Sequence, residues 1–298
     1  TWGRFNHSAK LDVTTADTSI GDAHAVTFQY RIEAKDIRNS GWNYTSSDST
    51  LSVSFWAKSV KAGTYCVFLF TQDGTQRNNV QEYTLVANTW KHIELEFPGD
   101  SAITFDDDTE GGLYVGWTLQ AGPHRYESVV NGQWLNRSVG NNHGKYATSN
   151  QVNFLDSTDN NFYLTGVQIE VGKATRFEHR SFGEELILCQ RYYQQYVNPC
   201  CTGVIPDNGS KAYSIQLQFQ TRMRAVPTLT IANSGTGGNV SDGQSTQLIS
   251  SLSAADRNVD GASMYLNLAG DLGDFRPACL GLNDSTTNAT TYKFKAEL

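Results

Sequence analysis

The sequence has 298 residues, of which 39% are hydrophobic and 18% are charged, and its net charge is −7. This length predicts about two domains, and the many Asn, Ser, Thr and Gly residues are typical of a β protein with many turns. No basic patch is concentrated in either half, which argues against nucleic-acid binding. No apolar run approaches the ~20 residues needed to cross a bilayer, so we expect no membrane insertion.

The first part of the chain carries strand patterns. Apolar and polar residues alternate from Val26 to Glu33 and again from Leu51 to Phe55, as on strands with one buried face. The stretch from Tyr65 to Phe70 is apolar on both sides, which predicts a central strand. Because the chain begins at Thr1 rather than at methionine, an upstream segment with an anchoring region is one expectation.

Four acidic residues are the weak candidates for a catalytic pair: Glu94, Glu96, Asp106 and Asp108. Glycoside hydrolysis needs two acids that flank a bond, with one of them held protonated by burial. Glu94 and Glu96, however, alternate with apolar residues along one predicted strand. A solvated sheet face is therefore the favoured interpretation of this pair.

The densest acidic cluster runs from Asp106 through Asp108 to Glu110. Oxygen-rich loops of this kind can hold calcium, so these three residues are weak calcium candidates. Their spacing fits no defined calcium loop, and a solvated turn is the favoured interpretation. We otherwise expect no cofactor.

The segment from Ala121 to Tyr146 is longer than most connections and combines aromatic, histidine, arginine and amide side chains. Sugars stack their C–H faces on aromatic rings while planar polar groups bind their hydroxyls, so this composition suits a glycan. A long structural loop is the alternative. The predicted contact residues here are His124, Arg125, Tyr126, Asn142 and His143.

A bulged strand is predicted near residue 166. Phe162 and Leu164 alternate with polar neighbours, but past Gly166 the apolar phase moves to residues 167, 169 and 171. A period-2 pattern that slips by one residue at a glycine is typical of a β-bulge.

A short amphipathic helix follows. Ser181 and Glu184 have the spacing of a capping box, and Asn198 with Pro199 is predicted to end the helix. One apolar stripe is predicted at i, i+3 and i+7, on Leu186, Cys189 and Tyr193. Packing of this stripe on one of the protein's own domains and self-association are both open alternatives.

The five cysteines are odd in number and lack metal-ligand spacing: Cys66, Cys189, Cys200, Cys201 and Cys279. Free thiols are favoured over a disulfide framework, with Cys66 and Cys189 as small buried hydrophobes. Beyond the helix, further alternating strands run to the C-terminus. They enclose a polar loop from which Asn239, Asp242 and Gln244 are predicted as contact residues.

The run GVQIEVGKATRFEHRSFGEELILCQRYYQQY, from Gly166 to Tyr196, resembles the junction segment of tailed-bacteriophage structural proteins. In that family a jelly-roll module of carbohydrate-binding type leads into a C-terminal fibre domain. The resemblance extends over most of the chain, through 30–33, 51–58, 63–65, 223–230 and 294–298.

The predicted fold is all-β, with two β-sandwich, jelly-roll-like domains at 1–180 and 199–298 joined by a short α-helix at 181–198. The resemblance implies a virion protein: a fibre or spike subunit that binds a host surface glycan or receptor without catalysis, contacts other virion proteins and forms a homotrimer. A capsid-attached fibre or decoration protein with an assembly role is an alternative. An accessory module of a polysaccharide-degrading enzyme is another.

Overall fold

A computed structural model describes residues 5–137, 143–197, 201–205, 211–214, 217–232, 238–241, 245–270, 272, 276–282 and 291–296. The chain divides into two compact units, Thr1–His179 and Arg180–Glu297. Nearly all regular structure in both units consists of antiparallel strands, which confirms the all-β prediction.

The first unit contains two antiparallel sheets. Its strands are β1 (Ala9–Asp12), β2 (Ala25–Glu33), β3 (Thr50–Ser59), β4 (Gly63–Thr71), β5 (Arg77–Leu85), β6 (Lys91–Pro98), β7 (Gly111–Ala121), β8 (Trp134–Asn136) and β9 (Asn161–Val171). Helix α1 spans Ala34–Arg38, and two 3₁₀ turns span Pro123–Arg125 and Phe154–Asp156. The sheet orders are β1-β9-β3-β6 and β2-β7-β4-β5-β8.

This topology is a jelly roll. Apart from the short edge strand β8, the first strand pairs with the last, the second with the second to last, and so inward: β1 with β9, β2 with β7, β3 with β6, and β4 with β5. Such pairing arises when one long hairpin rolls up into two facing sheets. The first unit is therefore a β-sandwich, as its alternating strands predicted.

The sandwich core forms because alternate residues of each strand point inward. On β3, Val53 and Phe55 are fully buried, and they face a layer from the second sheet that includes Val67 and Val115. Strand β4 lies between β5 and β7 and is buried on both sides, so the prediction of a central strand is confirmed. Its opposite side, with Phe68, is covered by the segment that follows β7.

The predicted bulge at Gly166 is confirmed. Thr165 lies opposite Trp56 and Gln168 lies opposite Ser54, so β9 holds one residue more than β3 between these pairs. Gly166 has a φ of +58°, a left-handed conformation that glycine adopts without a steric penalty. The extra residue lets both halves of β9 keep their apolar side chains toward the core.

The second unit begins with a helix and continues as strands. Helix α2 spans Phe182–Gln190, and the strands are β10 (Tyr193–Val197), β11 (Cys201–Ile205), β12 (Lys211–Ser214), β13 (Leu217–Gln218), β14 (Thr228–Ala232), β15 (Gly238–Ser241), β16 (Thr246–Arg257), β17 (Gly261–Leu268), β18 (Arg276–Leu282) and β19 (Thr291–Lys295). One sheet has three strands, β10-β19-β14, and the other has the order β12-β11-β18-β15-β16-β17-β13.

The larger sheet of the second unit closes on itself. Strand β17 pairs with β16 at one edge and with β12 at the other, so the pairings run in a circuit through β12, β11, β18, β15, β16 and β17. Closure leaves these strands without a free edge. The two sheets share one core, in which Ile205 and Leu266 pack with Tyr292 and Phe294 of β19.

The capping box of α2 is confirmed: Ser181 Oγ accepts from the Glu184 N–H, and the Glu184 carboxylate accepts from the Ser181 N–H at 3.0 Å. The prediction that the helix continues past Tyr193 is wrong. The helix ends at Gln190, and Tyr193 lies on β10 opposite Lys295 of β19. Aromatic and β-branched residues favour strands, and the pairing with β19 overrides the local helical spacing.

Helix α2 is exposed on all sides, since it contributes no buried residue. The prediction that Cys189 is buried is therefore wrong, whereas Cys66 is buried as predicted, and both are free thiols. Gln190 at the end of the helix donates to the Gln220 side chain and accepts from Thr221 Oγ1. These contacts attach the helix to its own unit. Cys200 lies outside the described residues, as do the side chains of Cys201 and Cys279.

Candidate functional site

The outer face of the four-stranded sheet carries a row of alternating lysine and aromatic side chains. Tyr163 on β9 lies opposite Lys10 of β1 and opposite Lys58 of β3. Trp90 immediately precedes β6, whose Lys91 lies opposite Ala57. We call Lys10, Tyr163, Lys58 and Trp90 the aromatic–lysine row. The row points away from the core because the neighbouring positions on each strand, such as Phe162 and Ala57, point inward.

The side chains of the row are in contact. The Trp90 and Tyr163 ring centroids are 6.1 Å apart. The Lys58 Nζ lies 4.4 Å from the Tyr163 centroid and 5.4 Å from the Trp90 centroid. Lys10 Nζ lies 5.6 Å from the Tyr163 centroid and forms an ion pair with Asp12 at 2.9 Å. Trp90 is 39% exposed, which is high for an indole in a sheet protein.

The next row toward the middle of the sheet adds a second aromatic pair. Trp56 of β3 lies opposite His92 of β6, and their ring centroids are 5.1 Å apart. His92 Nδ1 lies 3.3 Å from Glu94 Oε1. Both rings are half-buried. The face therefore presents two adjacent rows of rings, one of them flanked by ammonium groups.

The remaining rows of this face are polar. Ser54 lies between Gln168 and Glu94, and Ser52 lies between Glu170 and Glu96. At about 3.3 Å per residue the Glu94 row is roughly 13 Å from Lys58 along β3. Both Glu94 and Glu96 are exposed on this outer side, where the alternation predicted them.

The predicted calcium residues sit in an exposed turn. Asp108 Oδ1 accepts from the Glu110 N–H at 2.9 Å, and Asp73 Oδ2 accepts from the Asp106 N–H at 3.1 Å. Burial, together with the negative charges of Asp106 and Asp108, raises the pKa of Asp73. The described part of the chain holds no group of three His, Cys, Asp or Glu residues arranged to bind a metal. Calcium binding stays a prediction, and a chelator-dependent melting temperature would support it.

Arg125, a predicted contact residue, holds in place the segment after β7 that covers the five-stranded sheet. Its Nε donates to the Ala23 carbonyl at 2.6 Å and one terminal nitrogen donates to the Gly144 carbonyl at 3.3 Å. The guanidinium lies 4.9 Å from the Tyr146 ring centroid. Tyr126 packs against the apolar cluster beneath the same segment. These two side chains therefore stabilise the segment, whatever else they contact.

His124 and His143 are brought together by the fold, with nearly parallel rings whose centroids are 5.6 Å apart. The fully buried Lys145 lies beside them, and its Nζ donates to the His124 carbonyl at 2.9 Å and lies 3.4 Å from Glu127 Oε1. Desolvation and the nearby positive charges, that of Arg125 first, lower the pKa of His143.

The other predicted contact residues are only partly described. Asn239 lies on β15, where its backbone pairs with Leu248 and Gly281, and its side chain is outside what the structure describes. Asn142, Asp242 and Gln244 lie outside the described residues. A contact role for these residues and for the pair His124 and His143 stays a prediction.

The predicted oligomer stripe does not form on one helix face, because Tyr193 belongs to β10. Its three members are nevertheless all exposed, with Leu186 at 42%. Helix α2 also exposes other large apolar side chains: Phe182, Ile187 and Leu188.

Sequence reasoning missed the aromatic–lysine row. Neither Trp90 nor Tyr163 is among the contact residues that the sequence predicts. A signal was nevertheless present. Along β3, Trp56 and Lys58 alternate with the buried Val53 and Phe55, so they point to the outer side of the sheet. What could not be inferred was which outward residues of other strands lie beside them.

A scan against protein-family models found no match, and a search of the curated proteins found none. Among solved structures, oxalate decarboxylase from Bacillus subtilis at pH 4.6 aligns with 10% identity and a TM-score of 0.11, over 98% of this chain and 77% of that chain. A variant of the same enzyme aligns with 11% identity and a TM-score of 0.12, over 98% and 78%. Likenesses this weak carry no argument about fold or function. Within the described residues, no helix has the length and apolarity to span a membrane.

Proposed function

We propose that this protein is a non-catalytic fibre or spike subunit in the virion of a tailed phage and that it binds a glycan on the host surface. The observation that carries the binding role is the exposed aromatic–lysine row on the outer face of the jelly roll. Trp90 is exposed there, while the equally large Trp117 is buried in the core.

The chemistry of the row suits a sugar. Aromatic rings supply a flat apolar surface for the C–H face of a pyranose, and polar groups beside them fix its orientation. Lysine ammonium groups flank Tyr163, and the rows with Glu94 and Gln168 continue the same face with groups that can bind hydroxyls. A sugar chain lying along β3 would meet rings at one end and polar groups at the other.

The virion assignment is supported by the resemblance of residues 166–196 and by the order of the two units, a jelly roll followed by a second β unit. Other virion proteins and further copies of this chain are its proposed partners. The exposed apolar side chains of α2, such as Phe182 at 83% exposure, favour self-association, and the resemblance implies that the assembly is a homotrimer. Three weak sugar sites in one assembly would multiply a modest affinity.

A glycan array probed with the full chain tests the binding role. We expect defined glycans to be bound, and binding to fall at least tenfold in Trp90→Ala and in Tyr163→Ala. Tyr30→Ala is the matched control, because Tyr30 is a 56% exposed aromatic residue on the other sheet of the same unit.

The competing functions give different results in the same assay. If no glycan is bound even when the chain is presented as a trimer, an assembly role within the virion replaces the proposed one. If the chain releases soluble sugar from host envelope, it belongs to a polysaccharide-degrading enzyme.

A further inference from the structure

We propose that the aromatic–lysine row selects an acidic saccharide, in which a carboxylate, sulfate or phosphate group binds the ammonium of Lys58. This inference rests on the proposed glycan-binding function and adds the class of sugar.

The argument begins with the surroundings of Lys58. Its side chain is half-buried, and its Nζ lies over the rings of Tyr163 and Trp90. The backbone of Lys58 pairs with Tyr163 in the sheet, but among the residues that the structure describes its side chain makes no hydrogen bond and no ion pair. An ammonium group has three N–H donors, and aromatic faces attract its charge without offering a lone pair. The donors of Lys58 are therefore available to a ligand.

The neighbouring lysines differ in this respect. Lys10 is paired with Asp12 at 2.9 Å, and Lys91 Nζ donates to the Thr84 carbonyl at 2.9 Å. In the direction of β6, Glu94 lies two rows further along the same face, roughly 13 Å from the Lys58 row along β3, and its carboxylate lies beside His92. Lys58 is thus the cation of this face that lacks an anionic partner within the described residues.

The net charge of −7 would repel an acidic ligand at long range. At physiological ionic strength, however, charges separated by more than about 8 Å are largely screened. At the site itself, contact with the ammonium of Lys58 therefore makes the interaction with an acidic group attractive. A charge-assisted hydrogen bond is also stronger than a cation–π contact. An anionic group on the sugar would therefore interact with Lys58 more strongly than the rings of Tyr163 and Trp90 do.

The test uses the full chain on an array of neutral, carboxylated, sulfated and phosphorylated glycans, followed by titration of the best ligands. We expect acidic glycans to be bound, affinity to fall roughly tenfold to a hundredfold in Lys58→Met, and Lys58→Arg to retain it. Methionine keeps most of the apolar stem and removes the ammonium group, with its charge and its three N–H donors. Affinity should also fall between 50 and 300 mM salt, but by less than in Lys58→Met, because salt weakens a contact ion pair without removing its hydrogen bond.

The separate glycan classes show which anionic group is bound. The variants separate the preference for acidic sugars from glycan binding itself. If carboxyl-reduced versions of a carboxylated ligand bind as well as the acidic form, the inference is wrong. Binding of neutral glycans that needs Trp90 but survives Lys58→Met would also overturn it, while leaving the glycan-binding function intact. If no bound glycan depends on Trp90, both proposals fail.

Discussion

The ring of Phe5 occupies the space where a side chain at residue 166 would lie. A Cβ built on Gly166 would be 2.4 Å from Phe5 Cζ, far inside van der Waals contact. Phe5 in turn packs edge-on against Phe177, with ring centroids 4.8 Å apart. One glycine therefore serves both the β-bulge in β9 and the packing of the N-terminal segment.

Gly166→Ala should destabilise the first unit more than Gly172→Ala does. Both glycines have a left-handed φ, +58° and +85°, so both substitutions carry a backbone penalty of about 1–2 kcal/mol. Nothing lies within 4 Å of a Cβ at Gly172, whereas Gly166 meets Phe5. Urea unfolding followed by tryptophan fluorescence measures the difference, because all six tryptophans lie within the first 134 residues.

The double variant Phe5→Ala with Gly166→Ala separates the two effects. The free energy of unfolding that is lost when Gly166→Ala is added to Phe5→Ala should be smaller than the loss in Gly166→Ala alone. It should approach the loss in Gly172→Ala. Equal losses in the two single glycine variants would show that Phe5 adjusts freely and that only the backbone conformation matters.

Arg125→Ala should lower the free energy of unfolding of the first unit by about 1–3 kcal/mol, because two part-buried carbonyls lose a charged donor. His143→Ala is the comparison, and we expect it to cost less than 1 kcal/mol since its ring is partly exposed. If Arg125→Ala is as stable as the native chain but loses glycan binding, Arg125 is a contact residue after all.

The first unit should lose stability in alkaline solution. Burial raises the pKa of Tyr65 from 10.0 to about 12 and that of Cys66 from 9.0 to about 11. The unfolded chain releases these protons at a lower pH than the folded chain does. The stability that the two protonated groups contribute is therefore complete below about pH 9 and is lost as the pH rises toward 12. Urea unfolding at pH 8 and pH 10.5 measures this loss.

Two variants assign the alkaline effect. Tyr65→Phe and Cys66→Ala should each reduce the difference in unfolding free energy between pH 8 and pH 10.5, whereas Tyr30→Phe, at an exposed position, should leave it unchanged. An undiminished pH dependence in the two buried variants would refute the assignment.

Self-association through α2 predicts an oligomer in solution that one charge disrupts. Sedimentation velocity should show trimers for the native chain and smaller species for Leu186→Asp, because a carboxylate in an apolar interface is costly to desolvate. Val226→Asp is the control, since Val226 is 58% exposed elsewhere in the second unit. A monomeric native chain would exclude this role for α2 in the isolated protein.

Local patterns in the sequence were sufficient where the deciding interactions are themselves local. The bulge followed from the phase change at Gly166, and the start of α2 followed from the spacing of Ser181 and Glu184, whose hydrogen bonds join residues three apart. Helix α2 was predicted too long because Tyr193 is held by a strand about 100 residues away in the chain, opposite Lys295.

The sequence by itself determined which side of each strand faces the core, because alternation along a strand needs no knowledge of its neighbours. Only the tertiary structure decided that Lys10, Lys58, Tyr163 and Trp90 share one row. They come from three strands and a strand start separated by as many as 153 residues, and their contact depends on strand order and register. Register is set by the whole buried core, so it cannot be read from any single stretch.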